Sequence, residues 1–90
     1  MNTSTHAAQE HSDMLAQGMS NIYDAVSTST ASAIKQELMD HFGKGLYYRM
    51  KSGEKHITPE QQAFIAATFE KHGVTTPPVY DHMLAASTQH

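Results

Sequence analysis

Two helix openings separated by one stop govern what the second half of this chain folds into. Thr58-Pro59-Glu60-Gln61 places a hydroxyl cap, a proline at the first helical position and a glutamine three residues past the cap. That arrangement satisfies two orphan amides reciprocally. Lys71-His72-Gly73-Val74 supplies the glycine of a left-handed stop, and Thr76-Pro77-Pro78 opens again just beyond it. The pattern predicts a two-helix unit over about residues 58–86, a shape used both to read DNA and to dock on proteins. Phe64, Ile65, Ala67, Thr68 and Phe69 form the face of its first helix, and Val79, Tyr80, Met83 and Leu84 that of its second.

Upstream, Leu15, Met19, Ile22 and Val26 recur at three and four residues with Tyr23 beside them, which predicts a helix over about residues 8–26. Gly18 inside it costs about 1 kcal/mol relative to alanine. The hydroxyl-rich stretch Ser27-Thr28-Ser29-Thr30-Ala31-Ser32 favours caps and turns, so a bend is expected there rather than a fused rod of about 50 Å. A second helix follows over about residues 31–42, with Ile34, Leu38 and Phe42 in one stripe, and Gly43 ends it. Leu46-Tyr47-Tyr48-Arg49-Met50, aromatic and bounded by glycines, reads as a strand with Glu54-Lys55-His56-Ile57 as its return arm. The expected fold class is mainly α: one small domain across residues 1–90 with about four helices and room for a short β-strand or hairpin in the middle. Its parts are a helical front (8–42), a basic strand or hairpin (44–57) and the two-helix unit (58–86).

Several function classes fall away on composition. There is no cysteine, which excludes a disulfide scaffold, thiolate zinc ligands and a cysteine nucleophile. The N-terminal residues lack the basic and apolar regions of a signal peptide, and no apolar run nears the roughly 18 residues of a membrane helix. A cytoplasmic protein without membrane contact is therefore expected. Formal charge is -3, unevenly spread: the first half carries Glu10, Asp13, Asp24, Glu37 and Asp40 against Lys35, whereas Lys44, Arg49, Lys51 and Lys55 cluster in the middle. An acidic front opposes a general nucleic-acid coat, and a basic middle suits phosphates or an acidic protein surface.

Seven histidines invite a metal reading, but the candidate groups His6, Glu10 and His11, or His72 and His82, match no tight zinc spacing. Ser12-Asp13 beside His11, Asp40-His41 and Asp81-His82 are sequence neighbours, and neighbours on a helix do not face each other. With no phosphate loop either, the chain reads as non-enzymatic, without cofactor and without a metal site.

Asp40-His41-Phe42-Gly43-Lys44-Gly45-Leu46-Tyr47-Tyr48, followed by the unit from Thr58 to Ala86, resembles the Mor/C family of phage transcription activators in its order of elements. The proline that follows that family's strand tyrosine is replaced here by Arg49-Met50. The resemblance implies a dimer-forming helical front and a C-terminal helix-turn-helix. By the same analogy Lys44, Arg49, Lys51 and Lys55 approach backbone phosphates, with Thr75 and Thr76 at the entry of a recognition helix. That helix carries Asp81 and His82 and no Lys, Arg, Asn or Gln before Gln89, a poor match to the side chains that read bases. Binding to another protein, as a self-associating regulator, adaptor or inhibitor, is accordingly the leading expectation, and helix-turn-helix DNA binding the alternative. Met14, Met19, Met39, Tyr47, Tyr48 and Met50 are the expected interface, because methionine adapts to irregular contacts and tyrosine offers area with a polar handle.

Overall fold

The stop at Gly73 and the capping box at Thr58 frame the best-defined helix. In a computed structural model that describes residues 14–85, Thr58 Oγ1 accepts from the Gln61 amide at 3.2 Å, while Gln61 Oε1 accepts from the Thr58 amide at 2.9 Å. At the far end Val74 N–H reaches Phe69 O and Gly73 N–H reaches Glu70 O, with Gly73 at φ 81°. This is the paired bonding of a left-handed glycine stop.

The element order is β1 (Met14–Gln17), α1 (Thr28–Phe42), α2 (Lys44–Ser52), β2 (His56–Ile57), α3 (Pro59–Lys71) and β3 (His82–Ala85). The strands form one antiparallel sheet in the order β2-β1-β3, with Ala16 opposite both Ile57 and Met83. Directly opposed residues share a face. Ala16 and Ile57 are buried with Met19 and Ile22 from the turn after β1, Ile34 and Leu38 from α1, Tyr47 and Met50 from α2, and Ile65 and Phe69 from α3. Gln62 on α3 ties helix to sheet, its amide donating to Met14 O at 2.9 Å and Ile57 O at 2.8 Å.

Among the described residues the fold is thus mixed α and β, three helices and a three-stranded sheet, rather than four helices. Three expected elements are corrected. The stretch placed in a first helix begins, within the described residues, as strand β1 and continues as turns through Ala25; Met19, Ile22 and Val26 meet the core from a turn rather than from a helical stripe. Leu46 to Met50 is helical, because Tyr47 and Met50 lie three apart and bury together on one face of α2. Residues 77–80 have no regular structure and His82–Ala85 is β3, so among the described residues the second helix of the two-helix unit is absent. Consecutive prolines bias Thr76 and Pro77 away from helical angles.

The helix over Ala31 to Phe42 is present and starts earlier, at Thr28, with Ser27 Oγ accepting from Thr30 N–H at 3.4 Å. The hydroxyl cluster therefore caps and opens α1 instead of bending a helix pair. No fused rod exists in the described residues: the longest extent is 41 Å and the radius of gyration 13.7 Å. No described helix is long and apolar enough to cross a membrane.

Candidate functional site

α2 and the chain just after it carry Lys44, Arg49, Lys51 and Lys55, four of the six lysines and arginines. On a nine-residue helix whose Tyr47 and Met50 point inward, the 3.6-residue period turns Lys44, Tyr48 and Arg49 outward. All three are exposed. Lys35 from α1 sets its ammonium over the Tyr48 ring, 5.8 Å from the centroid, and Lys51 at the border of the face lies 5.9 Å from the Tyr23 ring. The Lys55 amide donates to Arg49 O, which holds the chain after α2 beside the same surface. Within the described residues the only Lys or Arg ion pair is Lys71 to Glu37 at 2.7 Å, and His72 Nε2 hydrogen-bonds the same carboxylate at 2.9 Å. Those two hydrogen bonds, Lys71 first, lower the Glu37 pKa. None of the α2 cations has a carboxylate partner among them.

A second surface lies at the edge of the sheet. Among the described residues β3 pairs with β1 on one side only, and Met83, Leu84 and the nearby Val79 are exposed apolar residues. Asp81 anchors the start of this strand. Its N–H donates to Gly18 O at 2.9 Å, and its carboxylate accepts from the Ser20 hydroxyl at 2.9 and 3.0 Å. The Ser20–Asp81 pair joins residues 61 apart and leaves no sequence signature. Serine donates straight to the carboxylate with no imidazole between them, so the pair latches the fold and lacks the base that activates a serine nucleophile.

A cleft of about 240 Å³ opens at the start of α1, lined by Val26, Ser27, Thr30, His72, Thr75 and Thr76 among others. Its Ser27 hydroxyl accepts from the Thr30 amide, and its one titratable side chain, His72, is already engaged by Glu37.

Of the expected interface, Met19, Tyr47 and Met50 are core residues and leave the list, since their apolar area is spent inside the domain. Met39 packs partly buried against that core, Met14 is half-buried on β1, and Tyr48 alone is exposed. The expected nucleic-acid contacts separate: Lys44, Arg49, Lys51 and Lys55 surround α2, whereas Thr75 and Thr76 line the cleft at the start of α1. Sequence reasoning missed Val79, Met83 and Leu84 as surface groups, having assigned them to a helix face; the Thr-Pro-Pro signal for extended chain was the available clue. Among the histidine groups, His6, Glu10 and His11 lie outside the described residues. His72 hydrogen-bonds Glu37, and the described residues hold no group of three metal-capable side chains.

The chain matches a family of unknown function, DUF6078, over residues 5–86. It belongs to that family. DUF6078 membership overturns the resemblance to the Mor/C activators, and the structure supplies the physical reason, because the segment read as a recognition helix is irregular and then forms strand β3 of the sheet. No curated protein and no solved structure matches this DUF6078 chain.

Proposed function

We propose that this chain is a non-enzymatic protein-binding module that pairs with a second copy of itself through the free edge of β3. The observation that carries the reading is that edge: Met83 and Leu84 are 44% and 37% exposed, and Val79 beside them 51%. Exposed strand edges are ordinarily blunted by lysine, proline or a bulge, and His82-Met83-Leu84-Ala85 has none of these. A second copy is the fitting occupant. Antiparallel pairing about a two-fold axis at Met83 sets each methionine against its counterpart and lets His82 face Leu84, with no like charges opposed.

The test is solution mass by sedimentation equilibrium over the micromolar range. A dimer is expected for the natural chain and a monomer for Leu84→Lys, which sits on the sheet face away from Ala16 and spares the pairing of β1. A single-chain mass for the natural protein throughout that range rejects the reading.

A further inference from the structure

We infer that the α2 face centred on Tyr48 is a docking site for an acidic segment of a partner protein. The domain's own packing accounts for Lys71, the sixth of its lysines and arginines, which is bound to Glu37. It forms no ion pair with Lys35, Lys44, Arg49, Lys51 or Lys55 among the described residues; of these, Lys35 lies over the exposed Tyr48 ring and Lys44 shares its helix face one turn before it. Arg49 and Lys51 in the last turn suit the negative end of the helix dipole, but that interaction leaves the charges of Lys35, Lys44 and Arg49 open to solvent. The arrangement gains its return when an anion is present.

Tyr48 decides that the occupant is more than an ion. It is 44% exposed, braced edge-on by Tyr47 with ring centroids at 5.2 Å and flanked by Lys35. A rigid ring with a hydroxyl rim, with Lys35 over it and Lys44 one turn before it, is the pattern of an interface anchor beside a polar border.

The extent of the patch separates an acidic peptide from a nucleic acid. α2 has nine residues, which makes it about 14 Å long. Asp40 precedes it and Glu54 follows it, both exposed. A nucleic acid running past either end meets those carboxylates, and few phosphates contact the cations. Because phosphate affinity scales with the number of cations engaged, such a footprint holds a polyanion weakly. A short acidic segment with one apolar side chain over Tyr48 fits between the two carboxylates.

The test is fluorescence anisotropy at low salt with the full chain and two labelled probes of equal charge, a glutamate peptide carrying one central tryptophan and an oligothymidylate. Saturable binding of the peptide, tighter than that of the oligonucleotide, is expected. Lys44→Glu combined with Arg49→Glu should weaken it at least about tenfold, and Tyr48→Ala by about fivefold, as for a central aromatic anchor. These side chains are outside the core, so circular dichroism should be unchanged, and Lys71→Glu on another surface should leave peptide binding intact. Leu84→Lys should also bind the peptide normally, which separates failure here from failure of the β3 pairing. Tighter binding of the oligonucleotide, indifference to the charge reversals, or no saturable binding of the peptide each overturns the assignment.

Discussion

The hydroxyls of Tyr23 and Tyr47 meet at 2.8 Å, joining the turn after β1 to α2. Tyr23 also stacks on Phe69 of α3, with centroids 6.3 Å apart and ring planes 6° from parallel. One hydrogen bond between two tyrosines therefore sits where the turn, α2 and α3 converge.

Removing one partner should cost more than removing both in proportion. Tyr47→Phe leaves the Tyr23 hydroxyl part-buried and unpaired, a loss of about 1–2 kcal/mol, and Tyr23→Phe does the same to Tyr47. The double variant should lose less than the sum, because neither hydroxyl is then orphaned. Urea unfolding of the four proteins measures the coupling. Strict additivity would show that the bond contributes nothing.

Alkali should unfold the domain by way of these rings. Burial first, then the Tyr47 hydroxyl, raises the pKa of Tyr23; burial also raises that of Tyr47, and it pushes Tyr80 up to about 12 from the ordinary 10.0. A group with a raised folded pKa adds stability that is complete below the unfolded value and disappears as pH climbs through the folded one. Stability should thus hold below about pH 10 and fall toward pH 12 as the unfolded chain releases these protons. Tyrosinate absorbance for the three should rise together with loss of helical ellipticity. Ionisation of all three near pH 10 with the helices intact would refute it.

Gly18 is held by Asp81. Its φ is 81°, and an added Cβ would lie 2.5 Å from Asp81 Oδ2. Gly18→Ala should destabilise by about 1–3 kcal/mol through backbone strain and that clash together. In an Asp81→Ala background the clash is gone and only the strain is left, so the cost of Gly18→Ala should shrink. Asp81→Ala by itself should speed amide exchange in β3 more than in α3. Equal protection loss in both elements would argue against a local latch.

Thr58→Ala removes one half of the capping box and should cost about 1 kcal/mol, read from the thermal midpoint. Thr58→Ser should restore most of it. If alanine matches threonine, the cap is idle.

Local signals in the sequence carried the helices whose ends are chemically marked. Thr58, Pro59 and Gln61 mark α3, Gly43 marks the end of α1, and Ile34 and Leu38 give α1 its buried stripe. The sheet was illegible because its partners are distant: Leu15 pairs with Leu84, and nothing in four residues of β1 announces a mate that far along. Worse, the spacing of Leu15, Met19, Ile22 and Val26 coincides with a helical period. α2 failed for the opposite reason. Its aromatics favour strands intrinsically, and burial of Tyr47 and Met50 overrode that preference. The cationic character of residues 44–55 was plain in the sequence, but the placing of Lys35 over Tyr48 required the packing of α1 on α2.

The register of β1 against β3 pairs Met14 with Ala85, so the described chain enters and leaves the domain at neighbouring points. Tension applied through the flanking segments would then pull the two strands apart crosswise, breaking Met14 from Ala85 first and Leu15 from Leu84 next, rather than loading all rungs together. A domain threaded this way yields to force by unzipping, and the latch of Asp81 onto Gly18 and Ser20 is the last link to part before the helices feel the load.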